Sequence, residues 1–503
     1  MSLAIIFTRA QSGIHAPPVV VETHLSNGLP GFTIVGMPET AVKESKDRVR
    51  SALLNSYFEF PQRRITVNLA PADLPKEGGR YDLAIAIGIL AASNQIPLDG
   101  LEELEFLGEL ALSGDLRKVT GCIPAGLAAA RSGRTLIAPH ENENEIALCN
   151  KDNAFVAENL LSVCAHLNKR ASLPRPQYRT KTTATKAEAK DLADVKGQYQ
   201  ARRALEVAAA GGHNLLFYGP PGSGKSMLAS RLPGILPRLS SSESLEVAAI
   251  KSVVGQNYEP ECDSRPFRSP HHSCSSIALV GGGTHPKPGE ISLAHHGVLF
   301  LDELPEYPRH ALEVLREPLE NGAITISRAN AQVDYPANFQ LIAAMNPCPC
   351  GYLGDKHTEC RCTPAQITRY RNKISGPLLD RIDLHVAVHA LPLEQLQEKP
   401  DGEPSAQVRA RVEKVHSLQL ERQNCVNASL TGKNLQQLCK LGTQEKQLLA
   451  MALKRFNISG RAYDRILRVA RTLADMSGSP MINTQHLTEA LSYRSLDRPI
   501  MAS

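Results

Sequence analysis

Short apolar runs bounded by turn residues recur along the chain, in three successive rhythms. In the first third, VVVETHL, FTIVG and ITVNL alternate with stretches of helical spacing at 40–55 and 79–92. Short strand-like runs interleaved with helices predict an α/β or α+β domain over residues 1–170. Residues 171–190, which include SLPRPQYRTKTTATKAEAK, have no apolar period and read as an exposed basic linker. From 191 a helix of alternating charge and alanine leads into LLFY at 215–218, and VLFL at 298–301 and FQLIAAM at 339–345 follow. Such unbroken apolar runs fit parallel strands buried on both faces, so residues 191–392 are predicted to form an α/β core. Past 392 only helical spacing remains, at 405–424, 431–455, 459–477 and 484–494, and residues 393–503 are predicted to be a helical lid.

Composition narrows the class without naming a partner. The 503 residues are 42% hydrophobic and 21% charged with a formal charge of +5, the balance of a soluble globular protein of about three domains. A basic surface can be local, so nucleic acid is permitted rather than demanded. No apolar run reaches the roughly eighteen residues of a membrane span, and MSLAIIFTRAQSG lacks the features of a secretory leader. A cytoplasmic protein with no membrane association is expected. Eleven cysteines are too sparse for a disulfide framework, but four of them cluster.

The stretch NLLFYGPPGSGKS at 214–226 carries the densest chemistry. It fits G-x-x-x-x-G-K-[ST] through Gly219, Gly224, Lys225 and Ser226, with Pro220, Pro221, Gly222 and Ser223 completing the loop. A predicted strand before it and a predicted helix start at 227–231 supply the context that makes the pattern a phosphate site for ATP. Glycines let consecutive N–H groups turn on a polyanion. Lys225 would reach the β and γ phosphates and Ser226 would ligate Mg²⁺. GVLFLDE then delivers Asp302 and Glu303 to the C-terminal end of a central strand, where α/β sheets place ligands. Asp302 would hold Mg²⁺ through water, and Glu303 would polarise the attacking water.

Just past Asn346, which ends the third apolar run, Cys348, Cys350, Cys360 and Cys362 form C-x-C-x9-C-x-C. Four thiolates on one short loop can close tetrahedrally around a structural Zn²⁺; a reduced metal-free loop and a labile disulfide are the alternatives. The doublets His271 with His272 and His295 with His296 are given hydrogen-bonding or subunit-contact roles, because adjacent side chains rarely point at one ion.

ALVGGGTHPKPGEISLAHHGVLFLDELPEY at 278–307, FRSPHHS at 267–273 and GPLLDRIDL at 376–384 resemble the magnesium-chelatase-like AAA+ proteins. NLAPADLPKEGGRYDL at 68–83 and GELALSGDLRKVTGCIPAGLAAAR at 108–131 resemble the proteolytic domain of Lon-type proteases. A Lon-like domain in front of such a core is similar to the ComM/YifB group, and the resemblance covers nearly the whole chain. It implies a Lon-protease-like domain of the ribosomal-protein-S5-like α/β superfamily, without its chemistry. The serine position falls on Arg80 and the lysine position on Ile123, so serine–lysine catalysis has no parts. Lys76 and Arg80 then form a basic patch or are simply solvated charges.

For the ATPase core the resemblance implies that Asn346 senses the γ-phosphate and that Val195, Gly197 and Gln198 pack against adenine. It makes Arg381 an arginine finger completing a neighbour's site, and Arg461, with Arg465 as the alternative, the lid arginine that meets nucleotide in cis. Arg465, Arg468 and Arg471 are left open as one solvated or nucleic-acid-facing stripe, and Ser459 is the predicted cap of their helix. The group implies a homo-hexameric ring using ATP and Mg²⁺. Its ComM branch implies a helicase promoting branch migration on single-stranded or branched DNA in natural transformation, with recombination proteins as partners. Inserts at 266–296 and 321–338, the second reading as a hairpin, would offer Lys287, Arg328 and Asn330 to phosphates, or remain surface loops. A chelatase-type motor is disfavoured by the Lon-like front domain, and a protein-remodelling motor by the polar, basic inserts.

Overall fold

The computed structural model describes residues 3–179, 190–256, 258, 265–283, 286–328, 331–355, 358–397, 401–456 and 459–497. Asn330 and linker residues 180–189 lie outside them. The chain divides into two compact units, Met1–Thr183 with Ser241–Glu261, and Ala184–Ser240 with Cys262–Ser503.

In the first unit the alternating runs become β1 (Leu3–Arg9), β2 (Pro18–Ser26), β3 (Gly31–Val35), β4 (Arg64–Ala70) and β5 (Leu104–Phe106). A two-stranded hairpin, β6 (Glu109–Leu110) and β7 (Leu116–Arg117), precedes β8 (Thr135–Pro139) and β9 (Ala154–Ala157). The main sheet runs β3-β4-β2-β1-β5-β8-β9. It is mixed: β2 is antiparallel to β1 and β4, and the remaining pairs are parallel. Alternation sends Ala4 and Ile6 of β1 and Val19 and Val21 of β2 into one core with the helix Asp82–Ala92, every residue of which is buried. The predicted helix at 40–55 is two, Thr40–Lys43 and Ser45–Asn55.

The Lon-pattern positions are structural. Arg80 is buried and its Nη2 donates to the Thr120 carbonyl and, at 3.2 Å, to Gln11 Oε1. Lys76 is fully buried with Nζ on the Pro71 carbonyl. The surface basic patch expected of these two, and the solvated alternative, are both corrected: each charge is taken out of water against a carbonyl. Ile123 packs with Ala248 and Ala249 of the helix Ser241–Val253. That helix is pinned through Ser252, whose carbonyl accepts from Gly121 N–H at 2.9 Å and whose Oγ donates to Glu145 at 2.6 Å.

The second unit contains β10 (Leu215–Tyr218), β11 (Phe267–Arg268), β12 (Gly281–Gly282), β13 (Lys287–Pro288) and β14 (Val298–Leu301). β15 (Ala323–Arg328), β16 (Ala331–Pro336), β17 (Gln340–Met345) and β18 (Leu384–Ala387) follow. Five of them form a parallel sheet, β11-β14-β17-β10-β18. β12 with β13 and β15 with β16 are separate antiparallel hairpins, so the insert at 321–338 is the hairpin its sequence predicts. Leu215, Phe217, Val298, Ile342 and Leu384 of the sheet share a core with Val408 and Val412 of Ser405–Gln423 and with Ile466 and Leu473 of Gly460–Met476. The predicted helix at 431–455 is two, Gly432–Leu438 and Thr443–Phe456. The break spans residues 439–442 and closes on Gly442, a poor helix former, with Leu435, Cys439 and Leu449 around it buried in the core.

Ser459 caps Gly460–Met476 by accepting from Ala462 N–H at 3.2 Å. The arginine stripe left open on that helix is corrected at two of its three positions. Arg465 Nη1 meets Asp383 Oδ1 at 2.6 Å, and Arg471, 3% exposed, meets Asp475 at 2.7 Å. These guanidiniums serve buried carboxylates instead of solvent. Among the described residues no helix is long and apolar enough to cross a membrane.

Candidate functional site

Strand order builds the site. β17 lies between β10 and β14, with Tyr218 opposite Met345 and Leu301 opposite Ala343, so the C-terminal ends of the three strands emerge side by side. The loop leaving β10 starts at Gly219, where a Cβ would stand 1.9 Å from the Val388 carbonyl oxygen, so only glycine fits. Gly222 and Gly224 adopt φ of +76° and +92°, left-handed conformations of the kind that form anion-binding nests of backbone N–H groups. Ser223 Oγ closes the loop on the Pro220 carbonyl at 2.8 Å. Gln198 Nε2 donates to Ser223 O at 3.3 Å and to His389 O at 2.7 Å, tying the segment of Val195 and Gly197 to the same loop.

Lys225 is the first residue of the helix Lys225–Ala229 and is 8% exposed. Its Nζ donates to Gly219 O and Pro220 O at 2.8 Å and to Asn346 Oδ1 at 3.3 Å. Burial pulls its pKa below that of an ordinary lysine, against the opposing pull of Asp302 and Glu303. From β14, Asp302 Oδ2 accepts from Ser226 Oγ at 2.5 Å, and its Oδ1 accepts from Glu303 N–H at 2.9 Å. Glu303 sits at φ +52°, a conformation that costs a non-glycine residue energy, and its Oε2 lies 3.0 Å from His272 Nδ1.

His272, given a hydrogen-bonding or subunit-contact role by its sequence, takes up the first of these, and its partner Glu303 is what the sequence reading did not name. The His272 ring lies tilted against that of His271, with centroids 4.1 Å apart, and packs edge-on with Tyr307, whose hydroxyl donates to Pro270 O at 2.6 Å. The available signal was FRSPHHS itself: β11 pairs in parallel with β14, so the residues after it arrive beside the acidic pair.

The arginines are placed differently. Arg381 is buried, with Nη2 on Glu320 and Nη1 on the Pro377 carbonyl at 2.6 Å. Its neighbour in the motif, Asp383, accepts from Asn214 N–H at 3.0 Å and from Arg465. Arg461 is exposed. Lys287 is exposed on its hairpin, and Arg328 pairs with Ala331 at the described end of the other.

Beyond Asn346 the sulfurs of Cys348, Cys350, Cys360 and Cys362 all lie within 4.8 Å of one another. N–H groups of Tyr352 and Arg361 lower the Cys350 thiol, while burial and hydrogen bonds to Cys350 and Cys348 raise those of Cys360 and Cys362. The four cysteines fit a tetrahedral thiolate site.

The loop fits a magnesium triphosphate on two counts. Lys225 is a buried cation whose hydrogen-bond partners are three neutral oxygens, leaving its charge for an anion. Ser226 and Asp302 converge as a hydroxyl and a carboxylate, the hard oxygen ligands that Mg²⁺ prefers.

Three family models match the chain: magnesium chelatase, subunit ChlI, over residues 191–396; subunit ChlI of Mg-chelatase over 21–142; and the ChlI C-terminal model over 402–494. Competence protein ComM of Haemophilus influenzae is 54% identical over 503 residues, spanning 99% of this chain and 98% of that protein. Protein YifB of Escherichia coli is 52% identical over 500 residues, 99% of this chain. The chain belongs to the ComM/YifB family of magnesium-chelatase-like AAA+ proteins. Within the wider family the likeness thins: the magnesium-chelatase 38 kDa subunit of Rhodobacter capsulatus is 22% identical over 61% of the ComM/YifB chain.

Proposed function

We propose that this ComM/YifB protein is a cytoplasmic ATPase motor, assembled as a homo-hexamer, that drives branch migration of single-stranded or branched DNA in recombination and natural transformation. The observation that carries the reading is the convergence of Lys225, Ser226 with Asp302, Glu303 and Asn346 at the ends of three adjacent parallel strands, in a chain collinear with a competence protein. ATP would lie along residues 219–226. Mg²⁺ would be held by Ser226 and, through water, Asp302, where it would neutralise charge on the β and γ phosphates. Glu303 would take a proton from the attacking water while Asn346 orients it. Arg381 of an adjoining chain would stabilise charge at the γ-phosphate, which requires its pair with Glu320 to open. Arg461 would contact nucleotide from the lid, and Cys348, Cys350, Cys360 and Cys362 would hold a structural Zn²⁺. Lys287 and the hairpin that Arg328 ends would meet DNA phosphates without reading sequence, and recombination proteins would be the protein partners.

Phosphate release, measured alone, with single-stranded DNA and with an unfolded protein, tests this. DNA stimulation is expected, together with ATP-dependent movement of a branch point in a four-strand substrate. Stimulation by the unfolded protein alone would sink the DNA reading in favour of a protein-remodelling motor.

A further inference from the structure

The four-cysteine cluster does more than close on itself. The sulfurs of Cys348, Cys350 and Cys360 are 3.4, 3.7 and 3.6 Å apart, and Cys362 Sγ accepts from Cys350 N–H at 3.4 Å. Thiolates placed tetrahedrally about 2.3 Å from Zn²⁺ lie about 3.8 Å from one another, so these spacings need to open by only tenths of an ångström. They are far from the roughly 2.0 Å of a disulfide bond. Four protein sulfurs leave no open coordination position, which makes such a site structural rather than catalytic.

The cluster is wired to the nucleotide loop on both sides. Cys348 follows Asn346 by two residues, and Asn346 touches Lys225. Cys362 leads directly into Thr363, which caps the helix Pro364–Arg371 with a complete capping box. The far end of that helix returns to the same place. Arg371 Nε donates to Pro347 O at 3.4 Å, and the Tyr370 hydroxyl bonds the main chain of Asn346. Inside the cysteine loop, Gly351 adopts φ +88° and passes so close to the phosphate loop that a Cβ would stand 2.8 Å from Pro221 Cδ and 3.9 Å from Asn346 Cγ.

We propose that Cys348, Cys350, Cys360 and Cys362 bind one Zn²⁺ and that this metal, by seating Gly351 against Pro221, holds the phosphate loop in its nucleotide-binding shape. Zinc occupancy then sets nucleotide affinity. The second half rests on residues 219–226 being a nucleotide site.

The test uses the full-length protein. Elemental analysis should find one zinc per chain, and a fluorescent ATP analogue should bind about tenfold more weakly after chelation, roughly the cost of re-ordering one loop residue on binding, and recover when zinc is returned. Because chelation can unfold the region, Gly351→Ala is the second arm. It keeps all four thiols and pushes on Pro221, so zinc content should stay at one per chain while nucleotide affinity falls. Absence of zinc in the purified protein with none taken up on addition overturns the proposal. So does wild-type affinity in Gly351→Ala, or affinity that survives verified zinc removal. If the zinc-loaded wild type binds no nucleotide at all, the nucleotide reading itself is what has failed.

Discussion

Glu303 meets His272 at 3.0 Å before any substrate arrives, so the carboxylate proposed to activate water begins in contact with an imidazole that has to yield or turn with it. Glu303→Gln should therefore keep ATP binding and lose hydrolysis by about 10²–10⁴-fold, the usual worth of a general base. His272→Ala should change turnover while leaving nucleotide affinity at the wild-type value. A fluorescent nucleotide analogue and a phosphate-release assay separate the two quantities, and a Glu303→Gln chain hydrolysing at the normal rate removes Glu303 from the chemistry. At this scale the sequence was legible where the site is local. Gly219 to Ser226 and the pair Asp302 and Glu303 announce themselves because adjacent residues do the work. His272 did not, since a histidine doublet carries no direction until a parallel strand sets it beside the acidic pair. Lys76 and Arg80 were misread for a related reason: charge in a sequence defaults to surface, and only the fold supplies the Pro71 and Thr120 carbonyls that let it be buried.

Among the elements, the short strand β18 and the helix Gly460–Met476 are joined by Asp383 and Arg465. Burial alone would raise the Asp383 carboxyl, but Arg465 at 2.6 Å and His213 at 3.5 Å outweigh it and hold the group far below the usual carboxylate range. A folded-state value below the unfolded one, about 3.9, means that Asp383 adds stability in full above that pH and loses it as pH falls further. Arg465→Ala strands a buried carboxylate and should cost about 3–5 kcal/mol. Denaturant melts between pH 7 and pH 3 should show the loss at neutral pH and a weaker acid dependence in the variant, because its uncompensated carboxyl is the one that prefers a proton. An unchanged midpoint at pH 7 would mean the ion pair is not coupling the two elements. The regular elements were readable from apolar rhythm, down to the hairpin at 321–338. The inward face of the arginine helix was not, because a periodic row of cations looks the same whether it meets water or buried acids.

For the whole molecule, the proposed ring makes one chain catalytically incomplete. Arg381→Ala and Lys225→Ala chains should each be inactive alone, the first with normal nucleotide binding, and mixing them should restore part of the phosphate release, since some sites would then combine an intact loop with an intact arginine. No recovery in verified mixed assemblies would argue against a shared site. The chain's division into units was the least legible level. Nothing in the apolar rhythm shows that Ser241–Val253, which follows the phosphate loop in sequence, packs with the first unit through Ile123, Glu145 and Gly121. The polypeptide therefore enters that unit twice. Anyone wishing to isolate the motor by discarding residues before 184 would leave Val247, Ala248, Ile250 and Val253 stripped of their cover, an oily strip inviting aggregation. A clean excision needs two deletions, of 1–183 and of 241–261, and a bridge joining residue 240 to residue 262.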